Sequence, residues 1–316
     1  MISVQGVSKD YGHIRALDKV SFHMPKGQVL GMLGQNGAGK TSLLNIISGY
    51  LPSSQGSILI NGIDMARDPI KAKAHIGCLP ENPPLYPEMT VKEYLRFCCD
   101  IKRVVKADQN THIGHIAQIT GLQDVLGRRI SNLSKGFRQR AGLAQALCGD
   151  PDVLLLDEPT NGFDPSQAVE FRNIIHTLSG RHTIIISSHI LHEVQAICDR
   201  VIILHQGRLL YDHLTRMSDG EKQSIRFNLR VRMPMQALLR AVRSLPSVLR
   251  ADPASSDAGA SDISVSVKTE AGFEEELFTL LSGLQAPILR LTPTAESMED
   301  IFMRITSPHF MKEPAS

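Results

Sequence analysis

Residues 34–41 have the sequence GQNGAGKT, which matches the phosphate-loop pattern G-x-x-x-x-G-K-[ST]. The preceding segment alternates apolar and polar residues like a strand, and the following TSLLNIISGYL has helical spacing. Glycines let backbone amides turn towards phosphates, and the dipole of the following helix adds to the attraction. We expect Lys40 to reach the outer phosphates and Thr41 to offer its hydroxyl to magnesium. Strand, loop and helix together predict a nucleotide-phosphate site.

A pair of acids follows a second strand-like segment. VLLLDEP at 153–159 contains an apolar run too short for a helix, which is typical of a strand buried on both faces of a mostly parallel sheet. We expect Asp157 to hold magnesium and Glu158 to orient and deprotonate water. Paired acids after a strand can also form an ordinary solvated turn, and the phosphate loop upstream favours the magnesium site.

One of the histidines ends a strand-like run. His189 closes the segment IIISSHI, where a buried strand opens into a helix that Ser188 could cap. Because ligands bind at this edge of open α/β sheets, we expect His189 to contact the γ-phosphate, although a lone histidine can also be structural. His192 is interpreted as helix surface. His112 and His115 have metal-like spacing without further ligands nearby, so we interpret them as surface residues.

The segment LSKGFRQR at 133–140 contains a serine, a glycine and three cationic side chains. Ser134 followed by KGFRQRAGLAQALCG is typical of an N-capped helix, whose first turn exposes amides that bind anions. Since the chain already has a phosphate loop, a second anion-binding helix end suggests a second nucleotide face, completed across a dimer interface. The alternative is a capped surface helix without a ligand.

Taken together, these segments resemble the ATP-binding subunit of an ABC transporter over residues 1–212. GQNGAGKT is similar to its Walker A, VLLLDEP to its Walker B and LSKGF to its LSGGQ signature. NGFD at 161–164 is similar to the D-loop, Tyr11 to the aromatic that stacks on adenine, and His189 to the switch histidine. The resemblance implies ATP and Mg²⁺ as ligands.

The resemblance also implies a site shared between two subunits. In this family two subunits pack head to tail, and each ATP lies between one Walker A and the other subunit's signature, so Ser134 and Gly136 would bind the γ-phosphate held by the partner. The implied catalytic residues are Lys40, Glu158 and His189, and the implied metal-binding residues are Thr41, Asp157 and Glu81. The implied nucleotide-binding residues are Tyr11, Gly34, Gln35, Asn36, Gly37, Ala38, Gly39, Lys40, Thr41, Ser42, Glu81, Ser134, Gly136 and Asp164.

Four positions depart from the family pattern. Lys135 and Phe137 replace the usual glycine and glutamine of the signature, while the serine and second glycine that approach phosphate most closely are retained. Glu81 occupies the position of the Q-loop glutamine. A carboxylate there can bind magnesium but adds negative charge near the γ-phosphate, which leaves the hydrolysis rate open. Phe163 replaces the common leucine of the D-loop, a mild change.

The segment from Glu81 to Met89 combines prolines with apolar residues such as Leu85 and Tyr86. The resemblance implies that it receives the integral membrane permease. LTPTAESMEDIFMRIT, from residue 291 onward, is similar to the ending of ATPases from the bacterial exporter branch that handles drugs, lipids and polysaccharides. With YGHIRALDKVSF, LPE and LSKGFRQR, it makes the gliding-motility and multidrug-type subgroup the most similar. The cargo stays open because membrane segments select it.

The expected fold class is α/β: an ABC-type P-loop ATPase with a mixed core sheet, an antiparallel β subdomain and a helical subdomain, followed by a small ferredoxin-like α+β domain. Residues 1–212 are expected to form the ATPase domain, with the helical subdomain at about 82–150. Polar residues at 213–224 predict a linker. Residues 225–306 alternate strand-like and helix-like segments around a small-residue loop, DPASSDAGASD, which suggests a βαββαβ unit. Residues 307–316 are expected to be a tail.

Composition limits the other classes of function. A net charge of +2 offers no global argument for a nucleic-acid partner, and we expect none. The odd set of five cysteines has no CxxC pair, which disfavours a disulfide framework and a thiolate zinc site. The N-terminus lacks the pattern of a secretory signal, and no apolar run approaches the roughly 20 residues that cross a bilayer. We therefore expect a cytoplasmic protein, held at the cytoplasmic face of the plasma membrane by the permease.

The preferred interpretation is the ATP-hydrolysing subunit of an exporter, in which ATP closes a dimer and hydrolysis reopens it. The partner ATPase subunit could be an identical or a different chain. A soluble ABC ATPase acting on nucleic acid or ribosomes is an alternative, but such chains usually carry paired cassettes, coiled-coil insertions or zinc modules. An importer ATPase is a second alternative, although importers tend to retain the Q-loop glutamine. A binding module with degenerate chemistry is a third, but every directly catalytic residue type is present.

Overall fold

The computed structural model describes residues 1–214, 225–257, 259–267 and 272–294. The chain divides into two compact units, Met1–Arg216 and Met217–Ser316. Most of the expected linker at 213–224 and all of the expected tail at 307–316 lie outside the described residues, as do the exporter-like residues from 295 onward. Among the residues that are described, no helix is long and apolar enough to cross a membrane.

The first unit contains two sheets. Its strands are β1 (Ile2–Tyr11), β2 (Ile14–Met24), β3 (Val29–Leu33), β4 (Gln55–Ile60), β5 (Ile63–Asp64), β6 (Ile76–Leu79), β7 (Val153–Asp157), β8 (Thr183–Ser188), β9 (Arg200–His205) and β10 (Arg208–Leu214). One sheet is antiparallel, with the order β2-β1-β4-β5. Buried and exposed residues alternate along much of β2, so this sheet has one face on the core.

The second sheet of this unit has the order β10-β9-β3-β8-β7-β6. Its neighbours run parallel except for the β9–β10 hairpin, which turns at Gln206 and Gly207, both with positive φ. Every residue of β3, β7 and β8 is buried, as expected for strands covered on both faces. The hairpin reaches two residues into the expected linker, because His213 and Leu214 pair with Val201 and Arg200.

Helices of the first unit flank this sheet or lie beyond its edge. They are α1 (Lys40–Ile47), α2 (Pro69–Ala74), α3 (Val91–Ile101), α4 (Gln109–Thr120), α5 (Lys135–Leu147), α6 (Pro165–Leu178) and α7 (Leu191–Ile197), with short 3₁₀ turns at Gln123–Val125 and Ile130–Asn132. Helices α3 to α5 lie within the segment expected to be helical. The start of α3 is fixed by a capping box, in which Thr90 Oγ1 accepts from the Glu93 N–H at 3.3 Å and Glu93 Oε2 accepts from the Thr90 N–H at 2.8 Å.

A close approach of helix and sheet shapes the core of this unit. A Cβ added to Gly31 on β3 would lie 2.0 Å from Cγ1 of Val194, so α7 packs against the strand only because the strand has a glycine there. The apolar residues of β1, β2, β3, α1 and β4 form one buried cluster that includes Leu17, Met32 and Leu43. This packing fixes the strand ends from which the candidate site is built.

The second unit is an α+β sandwich with its own core. Its elements are β11 (Ile225–Val231), α8 (Met235–Arg243), β12 (Val248–Asp257), β13 (Ala260–Val267), α9 (Phe273–Gly283) and β14 (Ile288–Thr294). The sheet is antiparallel with the order β12-β13-β11-β14, the arrangement of a ferredoxin-like βαββαβ unit. Phe227 and Phe273 pack in its core with ring centroids 5.0 Å apart.

The expected fold class is therefore confirmed, with one local error. The segment at 252–262 was expected to be a loop, but most of it belongs to the β12–β13 hairpin. Its residues pair from Asp252 with Ser264 to Asp257 with Ala260. The small residues of β12 fit the hairpin because this strand lies at the edge of the sheet, where backbone pairing with β13 holds it in place.

Candidate functional site

A cleft of about 420 Å³ lies at the carboxyl ends of β3, β7 and β8. Parallel strands bring these ends to one edge of the sheet, where α/β proteins bind ligands. The residues that line the cleft are Ala16, Gln35, Asn36, Gly37, Ala38, Gly39, Lys40, Thr41, Ser42, Glu81, Glu158, Asn161 and His189. The structure thus brings together the phosphate-loop segment, the acid after β7, the histidine after β8 and Glu81, which are distant along the chain.

The phosphate loop connects β3 to α1. Gly37 and Gly39 have φ values of 81° and 104°, which side chains rarely adopt, and a Cβ on Gly39 would lie 2.7 Å from the Ala16 carbonyl oxygen. Helix α1 begins at Lys40, and no side chain caps its first turn. Its amides therefore point into the cleft without a side-chain acceptor, which is the arrangement that binds phosphate.

Lys40 is the cation of the cleft. Its side chain is only 6% exposed, and Nζ donates to the Gly34 carbonyl oxygen at 2.7 Å. The same Nζ lies 3.3 Å from Oε1 of Glu158. The loop backbone and the carboxylate thus hold the ammonium inside the cleft, where it can compensate the charge of an anion.

Asp157 ends β7 and is buried. Its Oδ1 accepts a 2.5 Å hydrogen bond from the Ser187 hydroxyl, which the β7–β8 register places opposite it, and the Thr41 hydroxyl bonds to the same carboxyl. Burial raises the pKa of Asp157, and the negative charges of Glu158 and Glu81 raise this pKa further. Carboxylates and a hydroxyl are hard oxygen donors, so this set fits Mg²⁺.

Glu158 follows in a strained turn. Its φ is 45°, and its N–H donates to Ser187 Oγ at 2.9 Å, which stabilises the turn that directs the side chain into the cleft. One carboxylate oxygen faces Lys40, and Oε2 accepts a 2.8 Å hydrogen bond from Nδ1 of His189. A carboxylate held in this way at the mouth of a phosphate site can accept a proton from a water molecule.

His189 lies where the sequence predicted it, but the turn after β8 differs from expectation. Helix α7 has Ile190 at its N-cap position rather than Ser188. Ser188 is buried, and its Oγ accepts from the Ile190 N–H at 3.0 Å. Ser188 therefore orders the turn that carries His189, because the strand extends through it and leaves it too early to cap the helix.

Two residues of this site were not identified as functional in the sequence. Ser187 donates to the Asp157 carboxylate and accepts from the Glu158 N–H, and Asn161 lines the cleft and donates from Nδ2 to Glu81 Oε1 at 2.8 Å. Ser187 could have been identified from its position on a strand predicted to be buried, because a buried hydroxyl without a hydrogen-bond partner is unfavourable. The signal for Asn161 is its place in the turn directly after the acid pair.

Other predicted site residues lie outside the lining of this cleft. Tyr11 is 44% exposed, with Lys9 Nζ 5.2 Å from its ring centroid. Asp164 caps α6, where its carboxylate accepts from the Gln167 N–H at 2.9 Å and from the Ser166 hydroxyl at 2.6 Å. These hydrogen bonds lower the pKa of Asp164. In a single chain, then, neither residue borders the phosphate loop.

The signature-like segment is likewise separate from the cleft. Ser134 caps α5, with Oγ accepting from the Phe137 N–H at 3.4 Å. Gly136 is buried, and a Cβ there would lie 3.0 Å from Oε1 of Gln167. Lys135 is exposed, and its Nζ lies only 2.3 Å from where a Cβ on Gly162 would be. This helix end thus forms a second surface, next to the turn that follows the acid pair.

Aromatic residues cluster on the segment after Glu81. Tyr86 is 48% exposed, and its ring meets those of Tyr94 and Phe97 edge-on at 5.9 and 5.5 Å. A mostly apolar groove of about 670 Å³ runs from Glu81 past Leu79, Pro80 and Pro84 to Thr41 and Asp157. The exposed aromatic residue and the groove offer an apolar surface close to the cleft.

The two histidines on α4 differ, because His115 is exposed as expected, whereas His112 is half-buried rather than a surface residue. His112 Nε2 accepts a hydrogen bond from the Gly149 N–H at 3.1 Å, and burial lowers the pKa of His112. In the part of the chain that the structure describes, no group of three or more His, Cys, Asp or Glu side chains could hold a metal ion by itself. His192 is exposed on α7, and all five cysteines are free thiols.

Comparisons with known proteins agree with this geometry. The family model described as ABC transporter matches residues 17–161. NatA, an ABC transporter ATP-binding protein of Bacillus subtilis (strain 168), is 40% identical over 200 residues, which cover 63% of this chain and 81% of NatA. LnrL, a linearmycin resistance ATP-binding protein of the same organism, is 28% identical over 312 residues, which cover 97% of this chain and 98% of LnrL.

A solved structure extends the comparison to three dimensions. The dimeric structure of MJ0796, a bacterial ABC transporter cassette, matches 69% of this chain and 100% of that chain with a TM-score of 0.64. The identity of 23% makes this a likeness of fold.

Proposed function

Because the chain belongs to the ABC transporter family, in which it is an ATP-binding and ATP-hydrolysing protein, we propose that it powers an exporter through a separate membrane-spanning permease. The observation that carries the proposal is the convergence of the phosphate loop, Glu158, His189 and Glu81 on one cleft. LnrL, which is similar over nearly its full length, is described as a resistance protein, and this supports export.

Within the cleft, we assign ATP to the phosphate loop. Lys40 stabilises the negative charge that develops on the phosphates, as it already faces an anion, the Glu158 carboxylate, at 3.3 Å. Thr41 and Asp157 would hold Mg²⁺, together with Glu81, and the ion supplies positive charge at the outer phosphates. Glu158 accepts a proton from the attacking water, and His189, hydrogen-bonded to Glu158 at 2.8 Å, holds this base and contacts the γ-phosphate.

The signature segment acts on the nucleotide of a second ATPase subunit. Ser134 and Gly136 lie outside the cleft of their own chain, so a helix end able to bind phosphate is available to a partner. Two subunits that pack head to tail would each complete the other's site, with Tyr11 against the adenine ring and Asp164 near the shared interface. ATP binding then closes the dimer, and hydrolysis reopens it.

The permease docks on the segment from Glu81 to Met89. Tyr86 supplies an exposed aromatic ring two residues after Pro84, which lines the groove that reaches Asp157. Movement of this segment during closure would transmit the state of the cleft to the permease. Docking at this surface would place the chain at the cytoplasmic face of the plasma membrane.

Purification of the tagged full-length protein from its native cells in mild detergent, followed by mass spectrometry, tests this proposal. We expect a polytopic membrane protein to co-purify and to be lost in the Tyr86→Asp variant. Val169→Asp introduces the same charge at a half-exposed position of α6 and should retain the partner. Recovery of ribosomal proteins or nucleic acid without a membrane protein would overturn the exporter and favour a soluble ATPase.

A further inference from the structure

Two loops meet through one side-chain hydrogen bond at the mouth of the cleft. Asn161 donates from Nδ2 to Glu81 Oε1 at 2.8 Å, and both residues line the cleft. The backbone of Asn161 is tied to the acid pair as well, because its N–H donates to the Glu158 carbonyl oxygen at 3.1 Å. Asn161 therefore joins the carboxylate of Glu81 to the turn that carries Glu158.

The charges around Glu81 explain why its partner is an amide and not a charged side chain. Glu81, Asp157 and Glu158 form a group of carboxylates close enough that the first and third raise the pKa of the second. A cationic partner for Glu81 would compete with Lys40 for anions in the cleft, and a fourth acid would add repulsion. An amide N–H holds a carboxylate in one place without changing the net charge.

The surroundings of Glu81 and Asn161 indicate how a movement of one loop would reach the other. Glu81 is exposed and begins the segment that contains Tyr86, and the hydrogen bond from Asn161 restrains its carboxylate. Gly162, directly after Asn161, has a φ of 74°, and the Phe163 N–H donates to the Thr160 carbonyl oxygen at 3.0 Å, so the turn that carries Asn161 is closed by its own backbone. A shift of the segment after Glu81 would therefore displace Asn161 and, through it, the turn that carries Glu158.

We propose that Asn161 is a positioning residue for ATP hydrolysis, which holds the Glu81 carboxylate in register with the Glu158 turn. This inference rests on the proposed assignment of the cleft as the ATP site. It follows that position 161 must donate a hydrogen bond while position 81 is a carboxylate, and that the pair can be reversed if donor and acceptor are exchanged together.

A set of full-length variants tests this requirement: Asn161→Ala, Asn161→Asp, Glu81→Gln and the double variant Glu81→Gln/Asn161→Asp. Asn161→Asp places two carboxylates in contact, whereas the double variant restores an amide–carboxylate hydrogen bond with the donor on residue 81. Both the wild type and the double variant carry a single negative charge on this pair. Asn173→Asp on the exposed side of α6 is the matched control, and thermal melting verifies that each variant is folded.

Steady-state hydrolysis provides the readout. We expect kcat of Asn161→Asp to fall by about tenfold or more near pH 8, because small displacements at a reacting centre have large effects on rate. The KM for ATP should change by less than about threefold, because the phosphate loop is untouched. The kcat of the double variant should return to within about threefold of that of Glu81→Gln, because the exchanged donor and acceptor form the hydrogen bond again.

Two results would overturn the inference. One is an Asn161 series with wild-type kcat, and the other is a double variant no better than Asn161→Asp. A parallel Glu158→Gln variant separates this failure from that of the proposed function. Loss of hydrolysis there with an inert Asn161 series removes the positioning role alone. Full hydrolysis in Glu158→Gln removes the assignment of the cleft, and the positioning role with it.

Discussion

Nζ of Lys40 lies 3.3 Å from Oε1 of Glu158, and the two side chains are only 6% and 11% exposed. Buried charges stabilise each other when paired, and removal of one leaves the other uncompensated. The proposed phosphate-binding cation and the proposed base are therefore coupled. A change at Glu158 affects not only proton transfer but also the affinity of Lys40 for a phosphate.

The variant Glu158→Gln is expected to bind ATP more tightly than the wild type while hydrolysing it very slowly. The amide cannot accept a proton from water, and Lys40 loses its competing carboxylate, so its charge is free for the phosphates. The ATP-bound protein should accumulate as a dimer. Gel filtration with light scattering and a nucleotide-binding titration measure these effects. Persistent turnover together with a monomeric elution profile would contradict the mechanism.

The variant Asp157→Asn is expected to raise the melting temperature without magnesium. Burial raises the pKa of Asp157 above its ordinary value, so folding favours the protonated carboxyl. The stability linked to this group is thus greatest at low pH and declines as pH rises through the raised pKa. Near pH 7.5, replacement of the charge should gain roughly 1 kcal/mol, or about 2–4 °C.

Thermal melts across pH give the check on Asp157. The gain should shrink as the solution is acidified, and Mg-ATP should stabilise the wild type far more than the variant. Asp124→Asn, at an exposed position, is the matched control and should leave both measurements unchanged. A lower melting temperature for Asp157→Asn at every pH would show that hydrogen bonds to Ser187 and Thr41 outweigh the burial of charge.

Lys135 is expected to strengthen closure of the dimer. It replaces the usual signature glycine and is exposed beside Gly162, next to the helix end proposed to bind a partner's phosphate. Lys135→Glu should therefore reduce the ATP-induced dimer fraction in the Glu158→Gln background several-fold, roughly the effect of one reversed charge in a close pair. Lys26→Glu makes the same change in an exposed loop and should have no such effect. Equal dimer fractions in both variants would contradict this role.

The sequence was sufficient for those parts of the site that depend on local patterns. The loop before Lys40 and the acids after β7 follow from a glycine motif and an apolar run, because parallel strands end at one edge. Contacts across the sheet could not be predicted in this way. The bonds of Ser187 depend on the β7–β8 register, and the link from Asn161 to Glu81 depends on how two loops far apart in sequence are folded together. The hairpin at 252–262 was missed because small residues carry little strand signal.

A cavity in the core of the second unit is expected to lower the stability of that unit without changing the rate of ATP hydrolysis. Leu277 is fully buried in the cluster formed by β11, β13, α8 and α9, which is distinct from the core of the first unit. Leu277→Ala should cost about 2–5 kcal/mol and lower the melting transition of this unit by about 10 °C or more. The neighbouring Phe278 is 65% exposed, so Phe278→Ala is a matched control that should leave the transition in place.

Calorimetry and steady-state hydrolysis measured on the same samples test this expectation. An unchanged kcat with a lowered second transition would confirm that the units fold separately, whereas a parallel loss of kcat would show that the active cleft depends on the second unit.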